Sequence, residues 1–249
     1  MENELDFYNK PEIRDKFESI GTILERRVRR SVYQHELDDN YIEGKRIIYH
    51  EPEFEITEDL VKQLLWHHLK QIVDFQTNGE IKIPIFDEYQ KKQLKKIVKI
   101  LVENKKGIYL CGDYRTGKTT LMNAIIKTIE RLNILKFGHK IDYNKLLLRL
   151  SSDGNLTALE SIKGHCYLDD LGYDNKSVIK QFGNEENVIT KLIYLFDLNF
   201  KRRHKLAFVT SNLTPKEIRE SHGEGTYGRM LDIFECILWK GENKSINKI

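Results

Sequence analysis

The sequence predicts an α/β fold, a parallel sheet covered by helices on both faces and preceded by a small, mostly helical N-terminal region. Three observations carry this. From residue 107 onward, short apolar runs alternate with helical stretches, the pattern of strands joined by crossover helices. Before residue 80, apolar residues recur at helical spacing. Between the first apolar run and the helix after it stands a loop of the form G-x-x-x-x-G-K-[ST].

The elements follow in order. Phe17, Ile20, Ile23, Leu24 and Val28 suit an amphipathic helix over 13–28. Thr57 with Asp59 opens a second over 57–76, lined by Leu60, Val61, Leu64, Leu65, Leu69, Ile72 and Val73 and stopped by Thr77-Asn78-Gly79. Pro84 and a lysine-rich helix over 87–104 come next. We place a domain boundary near residue 80, giving a mostly helical region over 1–80 and the main domain over 81–249. In that domain, 107–111 reads as a buried strand, 118–132 as a helix, 135–141 as a strand and 143–150 as a helix. A strand over 165–169, a long helix over 185–200 and a strand over 206–211 follow. Thr214-Pro215-Lys216-Glu217 is a capping box with proline at the first helical position. The last short strand is 236–239.

Composition narrows the function classes. The chain has 249 residues, 40% hydrophobic and 32% charged, which supports a packed core with a well-solvated surface. No run of about 18 apolar residues is present, so no membrane span is expected, and the acidic start lacks a secretory apolar region. A cytoplasmic location is the expectation. Cys111, Cys166 and Cys236 sit in or beside apolar runs without C-x-x-C spacing and read as reduced thiols. His67 and His68 are adjacent on a helix, where neighbours point about 100° apart, so a shared metal is not expected. A net charge of +3 excludes an overwhelmingly basic nucleic-acid binder but not a local patch. Lys95, Lys96 and Lys99 belong to a dense lysine cluster, and Arg202 and Arg203 to a second one. Either a solvated face or contact with DNA accounts for them.

The chemistry concentrates in four places. Gly112-Asp113-Tyr114-Arg115-Thr116-Gly117-Lys118-Thr119 follows a strand and opens a helix, as a P-loop must. Its glycines let backbone N–H groups wrap phosphates at a helix N-terminus, with Thr120 next in line. Lys118 is expected to neutralise the β- and γ-phosphates of ATP, and the Thr119 hydroxyl to ligate Mg²⁺. Second, the strand 165–169 ends in Asp169 and Asp170. Asp169 is the expected Mg²⁺ partner, and Asp170 stands where a water-polarising acid belongs, with a shorter reach than glutamate. Third, Asn212 at the tip of the next strand is either a sensor of the γ-phosphate or part of the turn before Thr214. Fourth, Arg229, beyond Tyr227-Gly228, is either a finger into a neighbour's site or a surface ion pair.

With these elements in this order, residues 85–245 resemble the DnaC/IstB-like helicase-loader ATPases of the AAA+ class. The resemblance is carried by Gly112–Thr119, Leu168-Asp169-Asp170-Leu171-Gly172, Phe182-Gly183-Asn184-Glu185, Thr210-Ser211-Asn212-Leu213-Thr214, Arg229–Phe234 and Ile237–Gly241. It implies a three-layer AAA+ core and an ATPase that binds a replicative helicase and single-stranded DNA. It also implies self-association through the ATP site, with Arg229 acting in trans, and an N-terminal region that grips the helicase. The stretch after Asn212 is too short for a separate helical lid, which such loaders lack. The sequence departs from the family at Arg115, where glycine is usual and positive φ is often needed. It also has Gly225 near the place of a second arginine, and Lys244 as the nearest substitute for a C-terminal sensor arginine. An ATPase helper of a transposase, a small-molecule P-loop kinase and a nucleotide-gated adaptor with little hydrolysis remain alternatives at this point.

Overall fold

The structure, a computed structural model, describes residues 56–80, 84–153, 159, 161–172, 178–181 and 184–241. The expected helix over 13–28, Phe182, Gly183 and Lys244 lie outside the described residues. Those described belong to one compact unit that begins at Glu55, so it includes the helix on the N-terminal side of residue 80.

That helix, α1 (Glu58–Gln76), starts where Thr57 accepts a hydrogen bond from the Leu60 N–H. It stops at Thr77, beyond which Asn78 and Gly79 turn left-handed. Next, α2 (Glu88–Glu103) opens on a reciprocal capping box between Asp87 and Gln90. The main domain then runs β1 (Gly107–Cys111), α3 (Lys118–Arg131), β2 (Phe137–Asp142), α4 (Tyr143–Asp153), β3 (His165–Leu171), β4 (Val178–Gln181) and β5 (Asn184–Asn187). It continues with α5 (Val188–Arg203), β6 (Ala207–Ser211), α6 (Pro215–His222), α7 (Glu224–Ile233) and β7 (Phe234–Leu238).

Five strands make an all-parallel sheet in the order β2-β3-β6-β1-β7. Strand periodicity divides the core between its faces. Ile108 and Leu110 of β1, Tyr167 of β3 and Phe208 of β6 pack with the apolar stripes of α1, α2 and α3. Tyr109, Cys111, Cys166, Leu168, Ala207 and Val209 face the other way, into α4, α5, α6 and α7. Every residue of β1 and of β6 is buried, including the polar Thr210 and Ser211 at the tip of β6. The three cysteines are free. Burial pushes Cys111 and Cys166 up to about 12 and Cys236 to about 11, so the thiols stay protonated. No helix among the described residues is long and apolar enough to cross a membrane.

The structure corrects some boundaries. The helix expected over 185–200 begins at Val188. Residues 184–187 pair antiparallel with 178–181 in a two-stranded ribbon. Glutamates 185 and 186 favour helix by propensity, but Asn187 accepts a hydrogen bond from the Thr190 N–H and sets the start there. The strand expected over 135–141 spans 137–142, in register with β3. The strand expected over 236–239 spans 234–238, and Trp239 still donates its N–H to the Cys111 carbonyl at 2.6 Å.

Candidate functional site

Parallel strands deliver their C-terminal ends to one edge of the sheet, and there the candidate residues meet. β1 ends at Cys111 and leads into the loop Gly112–Gly117, and α3 begins at Lys118. Two glycines have work that no other residue does. Gly112 has φ +147° and lies so close to the last strand that a Cβ would sit 2.0 Å from the Trp239 carbonyl. Gly117 has φ +86° and precedes α3 without a capping side chain, leaving the first N–H groups of α3 open to an anion. Between them, Arg115 takes φ +60°, the left-handed conformation that the sequence raised as a difficulty there.

The loop is braced from below. Trp239 is fully buried and donates its indole N–H to the Thr116 carbonyl at 3.0 Å. The Thr116 hydroxyl in turn closes on the Asp113 carbonyl at 2.9 Å. Sequence reasoning gave Trp239 no part in the site. Its signal was a tryptophan directly after the last apolar strand, whose N–H must find an acceptor once buried.

Lys118 is 5% exposed and lies across the floor of the loop. Its ammonium donates to the Gly112 carbonyl (2.9 Å), the Asp113 carbonyl (2.6 Å) and Asn212 Oδ1 (2.8 Å). Burial lowers its pKa, and Asp170 and Asp113 act against that shift. The Thr119 hydroxyl donates to Asp169 Oδ1 at 3.0 Å, so the loop threonine and the strand-end acid are in direct contact. The same oxygen accepts from the Thr210 hydroxyl at 2.5 Å, and Thr210 Oγ1 accepts the Asp170 N–H at 2.9 Å. The β3–β6 register shifts between Leu168 and Leu171, and Asp170 sits at φ +58°. Thr210 therefore holds a bulge that lets two successive acids serve one site. Nothing in the sequence alone marks its hydroxyl as the contact that holds both aspartates.

Tyr114, Arg115, Gly117, Lys118, Thr119, Thr120, Asp170 and Asn212 line a cavity of about 620 Å³. Asp170 has its pKa raised by burial and by Asp169, with Lys118 pulling the other way. Asn212 Nδ2 is buried without a hydrogen-bond partner, while its Oδ1 is held by Lys118. A buried donor left open beside a cationic floor fits an anionic ligand. Thr119 Oγ1 and the Asp169 carboxylate are hard oxygen donors, the set that suits Mg²⁺ held jointly with phosphate. Among the described residues no group of His, Cys, Asp and Glu side chains suffices for a metal alone.

Other candidates lie elsewhere. Arg229, on α7, stacks over Tyr194 at 5.5 Å and lies 3.8 Å from Asp197 on α5, and it does not line the cavity. Lys95, Lys96 and Lys99 are exposed on α2, with Lys96 3.6 Å from Glu235 and Lys99 3.8 Å from Glu103. Arg202 and Arg203 are exposed in the last turn of α5, where cations also suit the helix dipole. Asn104 and Lys105, just after α2, share a smaller cleft with Phe200 and His204 of α5's end.

The chain matches no protein-family model, and no curated protein matches it. Solved structures with a similar fold include that of the DnaC helicase loader, 18% identical, covering 71% of this chain and 98% of that one at a TM-score of 0.49. DnaI is 22% identical, covering 65% and 87% at a TM-score of 0.47. AMPPCP-bound DnaA from Aquifex aeolicus is 16% identical, covering 64% of this chain and 50% of that one at 0.44.

Proposed function

We propose that this chain is a Mg²⁺-dependent ATPase of DNA replication that delivers a replicative helicase to single-stranded DNA. One observation carries the ATPase part: Lys118, Thr119, Asp170 and Asn212, from a loop and two strand tips, line one cavity, with Asp169 bonded to Thr119. ATP occupies that cavity with its phosphates against the loop and the first turn of α3. Lys118 turns from the loop carbonyls to the phosphates, and Asn212 holds the attacking water beside the γ-phosphorus. The water oxygen bonds to phosphorus as the bond to the bridging oxygen breaks, and Asp170 accepts the water's proton. Mg²⁺, when bound, neutralises phosphate charge, and Thr119 and Asp169 would hold it. Arg229, which does not line its own cavity, serves a neighbouring copy, so self-association completes the site. The motif resemblance supports the helicase, the DNA and a cytoplasmic setting. Lys95, Lys96, Lys99, Arg202 and Arg203 are the exposed cations available to DNA.

ATP hydrolysis measured with and without single-stranded DNA tests the enzyme reading. Turnover that Lys118→Ala abolishes supports it, and phosphate transfer to a small acceptor in place of water overturns it. Affinity capture from the native host, scored for a replicative helicase against a transposase, tests the partner.

A further inference from the structure

We propose that Arg115 is a second phosphate-holding cation, which raises affinity for a nucleoside triphosphate more than for a diphosphate. This rests on the ATP-binding reading above. Arg115 lines the cavity together with Lys118, Asp170 and Asn212. It is exposed, and it has no hydrogen-bond, ion-pair or ring partner among the described residues. The two cations of the cavity thus differ in availability. Lys118 already gives its hydrogen bonds to two carbonyls and to Asn212, and a ligand must exchange them. Among the described residues nothing occupies the five guanidinium donors of Arg115, and its planar fork matches two phosphate oxygens at once.

The backbone adds a second argument. At φ +60° a side chain carries a steric cost that glycine avoids. Strain of this kind persists where the surrounding structure over-determines it, and it clusters at ligand clamps. Here the loop is pinned at both ends, through Gly112 against Trp239 and through Thr116 to the Trp239 indole. Electrostatics supplies the third. Asp169 and Asp170 bring negative charge to the edge where a terminal phosphate must lie, and among the described residues Lys118 is the one other cation lining the cavity. A guanidinium at the rim offsets that repulsion, and its attraction grows with the charge of the ligand.

Equilibrium binding of fluorescent ATP and ADP analogues with Mg²⁺ tests this on the full chain, comparing wild type with Arg115→Gly, Arg115→Ala and Arg115→Lys. Arg115→Gly removes the guanidinium and the backbone strain together, so loss of folding does not obscure the result. The expected outcome is an ATP affinity lower by about tenfold in the Gly and Ala variants, the scale of a charge-assisted hydrogen bond. ADP should lose about threefold or less, and Lys should retain part of the difference. Unchanged or tighter ATP binding in Arg115→Gly, or equal losses for ATP and ADP, overturns the proposal while leaving the ATP site standing. If wild type binds neither nucleotide, or Lys118→Ala binds ATP as wild type does, the ATP reading itself falls.

Discussion

Replacing Thr210 with valine isolates the hydroxyl that organises the two aspartates. Valine keeps the branched shape of threonine, so no cavity opens at this fully buried position. What goes is one oxygen with two contacts, the donation to Asp169 Oδ1 and the acceptance of the Asp170 N–H. A part-buried N–H then lacks its partner, and a carboxylate loses one of two hydroxyl donors. An unsatisfied buried group costs about 1–3 kcal/mol, and a hydrogen bond to a charged group contributes about 1.5–3 kcal/mol. Relaxation and water recover part of this, so we expect a net loss of about 2–3 kcal/mol, or about 5–10 °C in Tm for a domain of this size. Thr210→Ser retains the oxygen and loses one methyl, a cost of about 1 kcal/mol. Urea unfolding of the three proteins gives the stabilities, and a Mg²⁺ titration of ATP turnover gives the functional half. With Asp169 loosened and Asp170 free to leave its left-handed backbone, half-maximal Mg²⁺ should rise about tenfold or more in Thr210→Val and far less in Thr210→Ser. If valine and serine variants have equal stability and the same Mg²⁺ dependence, the hydroxyl has no organising role and the reasoning fails.

Burial and Asp169 raise the pKa of Asp170, and only its ionised form accepts a proton. Turnover should therefore fall as pH is lowered through a pKa above that of an exposed aspartate, and Asp170→Asn should lose this acid limb together with about 10²–10⁴-fold in rate; the same limb in the variant would remove Asp170 from the role. Trp239→Phe leaves the Thr116 carbonyl without its indole donor, so we expect about 1–3 kcal/mol less stability and a weaker nucleotide Kd, read by unfolding and ATP binding. Arg229→Ala should abolish turnover and spare ATP binding, and mixing it with Asp170→Ala should restore some activity through mixed sites; no recovery argues against action in trans. Alanine at Lys95, Lys96 and Lys99 should flatten the salt dependence of DNA binding, and an unchanged slope marks the cluster as a solvated face.

The sequence made the frame of this domain legible because its signals are local. The buried strands read as apolar runs, and the caps at Thr57 and Thr214 lie within a few residues of the helices they open. The loop 112–119 has the spacing G-x-x-x-x-G-K-[ST], which a phosphate-binding loop requires. What stayed hidden depends on pairing across the chain. Thr210 meets Asp169 only because β6 lies beside β3, and Trp239 meets Thr116 only because β7 lies beside β1. The short ribbon of 178–181 with 184–187 was missed because its glutamates favour helix, and pairing between the strands outweighed that preference. Arg229 was open from sequence to two readings, a finger or a surface ion pair, and within one chain it lies against Asp197 and Tyr194.

The indole beneath the loop also bears on when the site comes into being. Trp239 lies 123 residues beyond the carbonyl it holds. On a ribosome, the phosphate loop emerges well before the strand that braces it. Closing so long a separation has an entropic cost that only the finished sheet repays. A nascent or truncated chain lacking β7 carries the full loop sequence without its lower support. If the chain binds ATP as proposed, completion of the sheet is a condition of that binding.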